Sequence, residues 1–390
     1  MLSVSLVAPM LRFVTRAAAF LLYCSAVCFF AFAQSTSLPK EVQHALEAEK
    51  QGAYPIAEER WAHITLAWPK DANAWAHLGL VRALQSKYAT AVPAYRKALQ
   101  LHSGLPGLHL DLGLALFKQE QFKDAIAPLK AAVIETPREV KPQLLLAMDY
   151  YGLAQYAEAI PYFEYAVTSS PDNLELRLTL AQSCLWAADY TCTIEQYQQI
   201  LHQNPNSAQA GMLAGQAMDG LGRTADAIEQ FRETERIAPH EPQVHFGLGY
   251  LLWKQLRFEE AEKEFDLELL ENPDQTQALA YLGDIAMKHN DRDTAISYLK
   301  RAIAQPGATR VAYLDLGTLQ ADLEQNEEAK ANFLKAIQLD PENTDAHWRL
   351  ARLYLAMGSR SEAQAEFAIT SKLQQKERVK ATQGMALVIK

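Results

Sequence analysis

A 34-residue repeat runs through most of the chain and constrains its fold more than any other feature. Prolines recur at this step in a column of Pro69, Pro137, Pro171, Pro205, Pro239, Pro273 and Pro341. A second column, 24 residues before these positions, carries only glycine or alanine. A third column is alanine at nine of ten positions, and a fourth is always large and hydrophobic. Ten units therefore follow one another in register from Leu38 to about Gln375.

Each unit has the pattern of two helices. In residues 310–343, apolar residues recur at helical spacing in two runs, Tyr313, Leu316 and Leu319 and then Phe333, Ala336 and Ile337. Pro341 ends the second run, because proline disfavours a helical conformation in the residue before it. The glycine and alanine columns allow two helices to approach closely, and the large residue fills the remaining gap. The sequence predicts an all-α array whose units bury one another.

This pattern resembles the tetratricopeptide repeat family. Repeat 2 carries the family's residues in order and spacing, with Trp75, Leu78, Gly79, Tyr88, Ala91, Tyr95 and Ala98. The resemblance implies a right-handed superhelical solenoid of antiparallel helix pairs over residues 38–375. A C-terminal capping helix or tail is expected over residues 376–390. Thr193 in repeat 5 and Gln375 in repeat 10 depart from the pattern.

The resemblance also implies a binding surface, because family members contact partners through the second, fifth, ninth and twelfth residues of each repeat. On this sequence these positions predict an apolar and aromatic partner-binding groove made of Leu110, Leu114, Phe117, Leu144, Met148, Tyr151, Leu178, Leu185, Met212, Phe246, Tyr250 and Trp253. Exposed apolar stripes with aromatic residues are typical of protein contact surfaces. The alternative is that some of these residues pack between adjacent first helices.

The N-terminal residues 1–33 have the pattern of a signal peptide. Arg12 and Arg16 precede an apolar run that ends in Ala31-Phe32-Ala33, a small-x-small step of the kind that signal peptidases cleave. We predict cleavage between Ala33 and Gln34, followed by a short linker over residues 34–37. An uncleaved membrane anchor is the alternative. Export would place the protein in the periplasm, at the envelope or outside a bacterial cell.

Cys184 and Cys192 are the cysteines that remain after the predicted cleavage. Each lies four residues from Ala188, near the centre of the turn between two helices. Antiparallel helices would place the two cysteines at the same height, and exported proteins meet oxidising conditions. A disulfide and a pair of buried free thiols remain alternatives, because the side-chain directions are not known from the sequence.

Composition and motifs argue against several functions. The net charge of −9 is unfavourable for broad nucleic-acid binding. The chain has no phosphate-binding glycine loop, nucleophile elbow or zinc-helix motif, and no two histidines stand at ligand spacing on one helix. We therefore predict no catalytic residue, metal, cofactor or small-molecule substrate. The predicted function is an exported non-catalytic scaffold that binds a protein or peptide, as an envelope-associated assembly factor. Alternatives are an architectural self-associating protein, or a non-catalytic subunit that positions an enzyme in trans.

Overall fold

The computed structural model describes residues 40–388, which form α-helices and turns without a strand. The predicted all-α fold of tandem helix pairs is confirmed. The twenty helices are α1 (Lys40–Lys50), α2 (Tyr54–Ala67), α3 (Ala72–Leu84), α4 (Tyr88–Leu101), α5 (Leu108–Phe117), α6 (Phe122–Glu135), α7 (Val140–Gly152), α8 (Tyr156–Ser169), α9 (Leu174–Trp186), α10 (Tyr190–Gln203), α11 (Ala208–Gly220), α12 (Thr224–Ile237), α13 (Val244–Lys254), α14 (Phe258–Glu271), α15 (Thr276–Lys288), α16 (Arg292–Ala304), α17 (Arg310–Asp322), α18 (Asn326–Leu339), α19 (Thr344–Ala356) and α20 (Arg360–Val388). Odd numbers are first helices of a repeat and even numbers are second helices. The predicted signal peptide 1–33, its cleavage at Ala33–Gln34 and the linker 34–37 lie outside the described residues.

The glycine column and the large-residue column meet inside each repeat, as the sequence predicts. A Cβ atom built on Gly113 would lie 2.5 Å from Leu129, and one built on Gly249 would lie 2.8 Å from Phe265. Both large residues are fully buried. Because there is no room for a side chain at these glycines, the first and second helices touch along this line.

Every turn inside a repeat contains one residue in the left-handed conformation. The φ angles lie between 56° and 80° at Gly52, Ser86, Glu120, Ala154, Ala188, Gly222, Leu256, Asn290, Glu324 and Gly358. In one such turn the N–H of Arg257 donates to the carbonyl of Leu252 at 3.0 Å, which closes the end of α13. These residues form a further column at the 34-residue step. This column is not apparent in the sequence, because only three of its ten residues are glycine.

We expect Leu256→Gly to raise the free energy of unfolding of its repeat by up to about 1 kcal/mol, the cost of the left-handed conformation for an L-residue. Leu256 has a φ of 60° and is 72% exposed, so little buried surface is lost. Denaturant unfolding measures the gain. Leu256→Ala keeps the Cβ atom and should give no such gain. An equal gain in both variants would show that removal of an exposed leucine, and not the backbone angle, is responsible.

The prolines of the 34-residue column lie between repeats, and the carbonyl groups of five of the seven, Pro69, Pro137, Pro171, Pro239 and Pro341, accept a hydrogen bond from the side chain six residues later. The donors are Trp75 Nε1 at 3.0 Å, Gln143 Nε2 at 3.3 Å, Arg177 Nη2 at 3.3 Å, His245 Nε2 at 3.0 Å and His347 Nε2 at 3.1 Å. Each bond fixes the turn to the start of the following first helix. Four residue types therefore perform one structural role at this position.

The repeats group into two compact units, one that ends at Cys192 and one that begins at Thr193. The boundary falls inside α10, in the repeat where Thr193 replaces the column alanine. The first unit has cores centred on residues such as Trp61 and Phe163, and the second unit has cores around Phe231, Leu299 and Phe333. The 34-residue register continues through both units, and the single array over residues 38–375 stays a prediction.

The last helix, α20, runs without interruption from Arg360 to Val388. The sequence predicted a boundary between the repeat array (38–375) and the C-terminal tail (376–390). This boundary falls inside α20. The physical reason is Gln375, which stands where the proline column would end the helix. Within residues 40–388, no helix combines the length and the hydrophobicity that a bilayer span requires.

Candidate binding faces

The first unit presents most of its predicted groove residues at the surface of the first helices α5, α7 and α9. Those that are half-buried are Leu110, Leu114, Leu144, Met148, Tyr151 and Leu178. Five of these six side chains also pack against the core beneath them; Leu178 is the exception. The result is an apolar stripe that is partly open to solvent and held in place by the core.

Phe117 and Leu185 are core residues, and their assignment to the groove was wrong. Phe117 is 3% exposed, and its ring centroid lies 5.7 Å from that of Phe122, the first residue of the following helix. Leu185 is 9% exposed. Phe117 is covered by the second helix of its own repeat, whereas Tyr151 and Trp253, at the same position of other repeats, stay half-buried.

Phe246 is also a core residue instead of a groove residue. It is 2% exposed, and its ring lies 5.9 Å from Phe265 of its own repeat and 6.1 Å from Tyr281 of the next repeat. The family position of Phe246 predicts exposure, but the large Tyr281 on the neighbouring first helix covers it.

The second unit carries an aromatic cluster made of Tyr250, Trp253 and Tyr281. Tyr250 and Trp253 are half-buried predicted groove residues, as is Met212 on α11. Tyr281 was missed; its ring lies 4.8 Å from Trp253 and 5.7 Å from Tyr250. Burial raises the pKa of Tyr281 to about 12, so its hydroxyl stays neutral. The cluster offers flat apolar surface with polar edges, which is typical of a protein contact site.

Charged groups adjoin this aromatic cluster. Trp253 Nε1 donates to Asp284 Oδ2 at 2.6 Å, and Lys288 Nζ lies 3.3 Å from the other oxygen of the same carboxylate. Burial, with Asp284 nearby, raises the pKa of Asp315 to about 6. Arg349 donates to Thr318 Oγ1 at 2.9 Å. The first helices of the second unit therefore change from aromatic to charged at this surface between α13 and α19.

A second aromatic cluster, also missed, lies in the first unit. Tyr151 is 5.5 Å from both Tyr156 and Trp186, measured between ring centroids, and Tyr156 is 4.7 Å from Trp186. Burial raises the pKa of Tyr151 and of Tyr156. Tyr156 begins a second helix and Trp186 ends a first helix, so the family's groove positions do not select them.

Asp149 on α7 is a buried carboxylic acid in the first unit. Its side chain is 0% exposed, and no group in the described part of the chain donates a hydrogen bond to either carboxylate oxygen. Burial raises the pKa of Asp149 from 3.8 to about 8. The group is consequently protonated at neutral pH and carries no charge for a ligand.

His245 on α13 lies close to carboxylates from α12 and α14 of the second unit. Its Nδ1 lies 2.8 Å from Glu264 Oε2 and 4.0 Å from Glu235 Oε1. Burial raises the pKa of Glu264, although the hydrogen bond with His245 opposes that effect. Glu268, one helical turn further on, accepts the backbone N–H of Phe246 at 3.2 Å. Sequence reasoning sought two histidines on one helix and did not detect this group.

The two cysteines of the first unit lie where the sequence places them, on either side of the turn at Ala188. The structure joins Cys184 and Cys192 by a disulfide, with Cα atoms 5.8 Å apart. Both side chains are buried, and they lie at the edge of the first unit's core. The link ties the end of α9 to the start of α10.

Comparison with known proteins shows which family this architecture represents. Two sequence profiles described as tetratricopeptide repeat match the chain, one over residues 151–217 and 320–386, the other over 42–106, 194–242 and 246–309. Together these matches span well over half of the sequence, and the chain belongs to the tetratricopeptide repeat family. Repeats of this family support a role as a protein-interaction scaffold.

Individual relatives match only part of the chain. The Protein CTR9 homolog of Arabidopsis thaliana is 28% identical over 121 residues, which are 31% of this chain and 11% of that protein. Cellulose synthase operon protein C of Pseudomonas fluorescens is 26% identical over 152 residues, 37% of this chain and 12% of that protein. This chain thus matches about a tenth of the length of these relatives. Among solved structures, Naa15/Naa10 bound to HypK-THB has a TM-score of 0.48 at 16% identity, covering 87% of this chain and 64% of that one.

Proposed function

We propose that this protein is an exported, non-catalytic scaffold that binds an apolar protein or peptide segment on the inner faces of its first helices. The observation that carries the proposal is the half-buried aromatic cluster of Tyr250, Trp253 and Tyr281. Its rings are fixed against one another and against the core, so little conformational entropy is lost when a ligand packs on them. The apolar stripe from Leu110 to Leu178 in the first unit offers the same chemistry.

The proposed ligand is an extended or helical stretch with large apolar side chains. Aromatic anchors that are rigid before binding are typical hot spots for such segments. The Asp284 carboxylate beside the cluster accepts a hydrogen bond from Trp253 and forms an ion pair with Lys288. It therefore orients the indole ring, and its charge is already balanced without a charged ligand. Binding of nucleic acid or of a small-molecule substrate is not part of the proposal.

Export is supported by two features of the chain. The first is the basic and apolar pattern of residues 1–33 with its Ala-Phe-Ala step. The second is the Cys184–Cys192 disulfide, since such bonds persist in oxidising compartments. Similarity to a bacterial protein named for a cellulose synthase operon is in keeping with an envelope-associated role.

The proposal predicts that Tyr250→Ser weakens peptide binding at least tenfold, because a hot-spot aromatic contributes about 2 kcal/mol or more. Peptides selected from a displayed random library against the purified chain would be labelled and titrated by fluorescence anisotropy. Tyr298→Ser is the matched control: Tyr298 is likewise half-buried in the second unit, but lies on the second helix α16. It should leave affinity unchanged. Loss of binding in the Tyr298 variant with retention in the Tyr250 variant would move the site to the second helices.

Two alternative functions make different demands on the same protein. An architectural scaffold must self-associate, so its sedimentation coefficient would rise with concentration and selected peptides would not saturate it. A subunit that positions an enzyme in trans would bind a folded protein instead of a short segment. The similarity to Cellulose synthase operon protein C is the observation that favours this second alternative.

A further inference from the structure

The His245 ring is held so that one of its nitrogens, Nδ1, faces two carboxylates. His245 is 7% exposed, and its Nε2 lies 3.0 Å from the carbonyl oxygen of Pro239. A carbonyl oxygen only accepts, so Nε2 carries a proton, and Nδ1 is the ring nitrogen left to bind a second proton or a metal ion. Nδ1 lies 2.8 Å from Glu264 Oε2. Two lone pairs at this distance repel unless a proton or a metal ion lies between them.

Glu235 extends this pair into a set of three ligand atoms. Glu235, His245 and Glu264 each offer one atom, and these atoms lie within 4.8 Å of one another. They come from α12, α13 and α14, three successive helices of one unit. One imidazole nitrogen and two carboxylate oxygens are a donor set that zinc and similar divalent ions accept. The Pro239 carbonyl that orients the ring is the outer partner that metal-binding histidines usually have.

The repeat itself supplies a comparison for the role of Glu235. His347 and Glu366, 102 residues further on, reproduce the pair: Nδ1 lies 2.5 Å from Glu366 Oε2, and Nε2 lies 3.1 Å from the Pro341 carbonyl oxygen. At the position equivalent to Glu235 this repeat has Ile337. A histidine–glutamate pair alone is therefore a recurrent structural contact, and the third ligand is specific to the repeat that contains His245.

Glu235 is exceptional in its column. The same position in the other repeats is occupied by Thr65, Leu99, Val133, Val167, Leu201, Leu269, Ile303, Ile337 and Ser371. A charged residue replaces a mostly aliphatic one only where a histidine and a second carboxylate are within reach. The Glu235 side chain is 30% exposed, so it can rotate toward the ion, and solvent can reach a fourth coordination position.

We propose that Glu235, His245 and Glu264 form a binding site for a divalent transition-metal ion of the zinc class. The ion would link α12, α13 and α14 and would stabilise the second unit when bound, because a ligand that binds only the folded state adds to its stability. An open coordination position distinguishes this site from a closed structural one.

The test is a zinc titration of the chelator-stripped full chain by calorimetry, with cobalt absorption spectra as a second readout. Glu235→Leu restores the common residue of the column, and His245→Gln retains a donor for the proline carbonyl, as Gln143 does in repeat 4. Each should weaken zinc binding at least tenfold and abolish the cobalt band. His347→Gln, which removes only the two-residue pair, should change neither.

Two results would overturn the proposal. Equal zinc affinity in wild type and Glu235→Leu would show that Glu235 is not a ligand, and that His245 and Glu264 form only the two-residue contact seen at His347. Absence of saturable zinc binding in the wild type would show that a proton alone bridges His245 and Glu264. The zinc-induced rise in melting temperature should likewise occur in the wild type and the His347 variant but not in the other two.

Discussion

Replacement of Gly249 by leucine is expected to lower the free energy of unfolding of the second unit by about 3 kcal/mol or more, at the upper end for overpacked cores. Even a Cβ atom at this position would lie 2.8 Å from Phe265 Cε1. Phe265 is 0% exposed and contacts Phe246 and Tyr281, so its ring cannot move aside without disturbing two repeats. Denaturant unfolding with hydrogen exchange at α13 and α14 measures the loss and locates it.

Gly249→Ala is the graded control for this experiment. Alanine stands at the equivalent position in repeats 4 and 10, Ala147 and Ala351, so a small shift of the helix pair accommodates it. Alanine also favours a helix by about 1 kcal/mol over glycine, which offsets part of the contact strain. We therefore expect little change for alanine and a large loss for leucine. Wild-type stability of the leucine variant would contradict the helix register.

The architecture could be predicted because each column of the repeat records a packing requirement. Pro341 predicts a helix end, and α18 ends at Leu339. Gly249 predicts close approach, and Phe265 lies against it. These requirements act within one repeat or between neighbours at fixed spacing, so a single sequence reveals them.

Exposure on the inner faces could not be predicted in the same way, because it depends on which side chain a neighbouring helix contributes. Phe117 has the family's groove position, yet Phe122 packs on it. Phe246 is covered by Tyr281, in a column that elsewhere holds small, polar or aliphatic residues. The family position predicts the face of the helix, whereas burial follows from the particular neighbours.

The group of Glu235, His245 and Glu264 could not be predicted from the sequence for a related reason. His245 and Glu264 are 19 residues apart and lie on different helices, so no ligand spacing along one helix marks them. The available signal was Glu235, a charge in an aliphatic column. The left-handed turns were hidden similarly, since residues such as Leu256 occupy a position that favours glycine.

Asp149→Val is expected to stabilise the first unit at pH 8 by several kcal/mol, on the order of 5, because burial disfavours the charged form of Asp149 in the folded state and valine removes that cost. Asp149 is 0% exposed, and its pKa is raised from 3.8 to about 8 by burial. Valine fits the site, because the equivalent position in repeat 2 is the buried Val81.

The stabilisation should depend on pH in a defined direction. The folded state binds the Asp149 proton more tightly than the unfolded state, so wild-type stability falls as pH rises from about 3.8 to about 8 and then levels off. Below the lower value both states are protonated and this cost disappears. Asp111 and Asp315, whose pKa values are raised by burial to about 6, add similar slopes over a shorter pH range, so each contributes less in total.

The measurement is the difference in free energy of unfolding between wild type and variant at several pH values from 4 to 9. The slopes of Asp111 and Asp315 are common to both proteins, so they cancel in the difference. Asp149→Asn keeps the shape and removes the titration; it should show the same pH dependence relative to wild type, with a smaller gain because the amide remains a buried polar group. A difference that is constant across the range would mean that the pKa of Asp149 is not raised in the folded state, as for a carboxylate that is solvated or paired in solution.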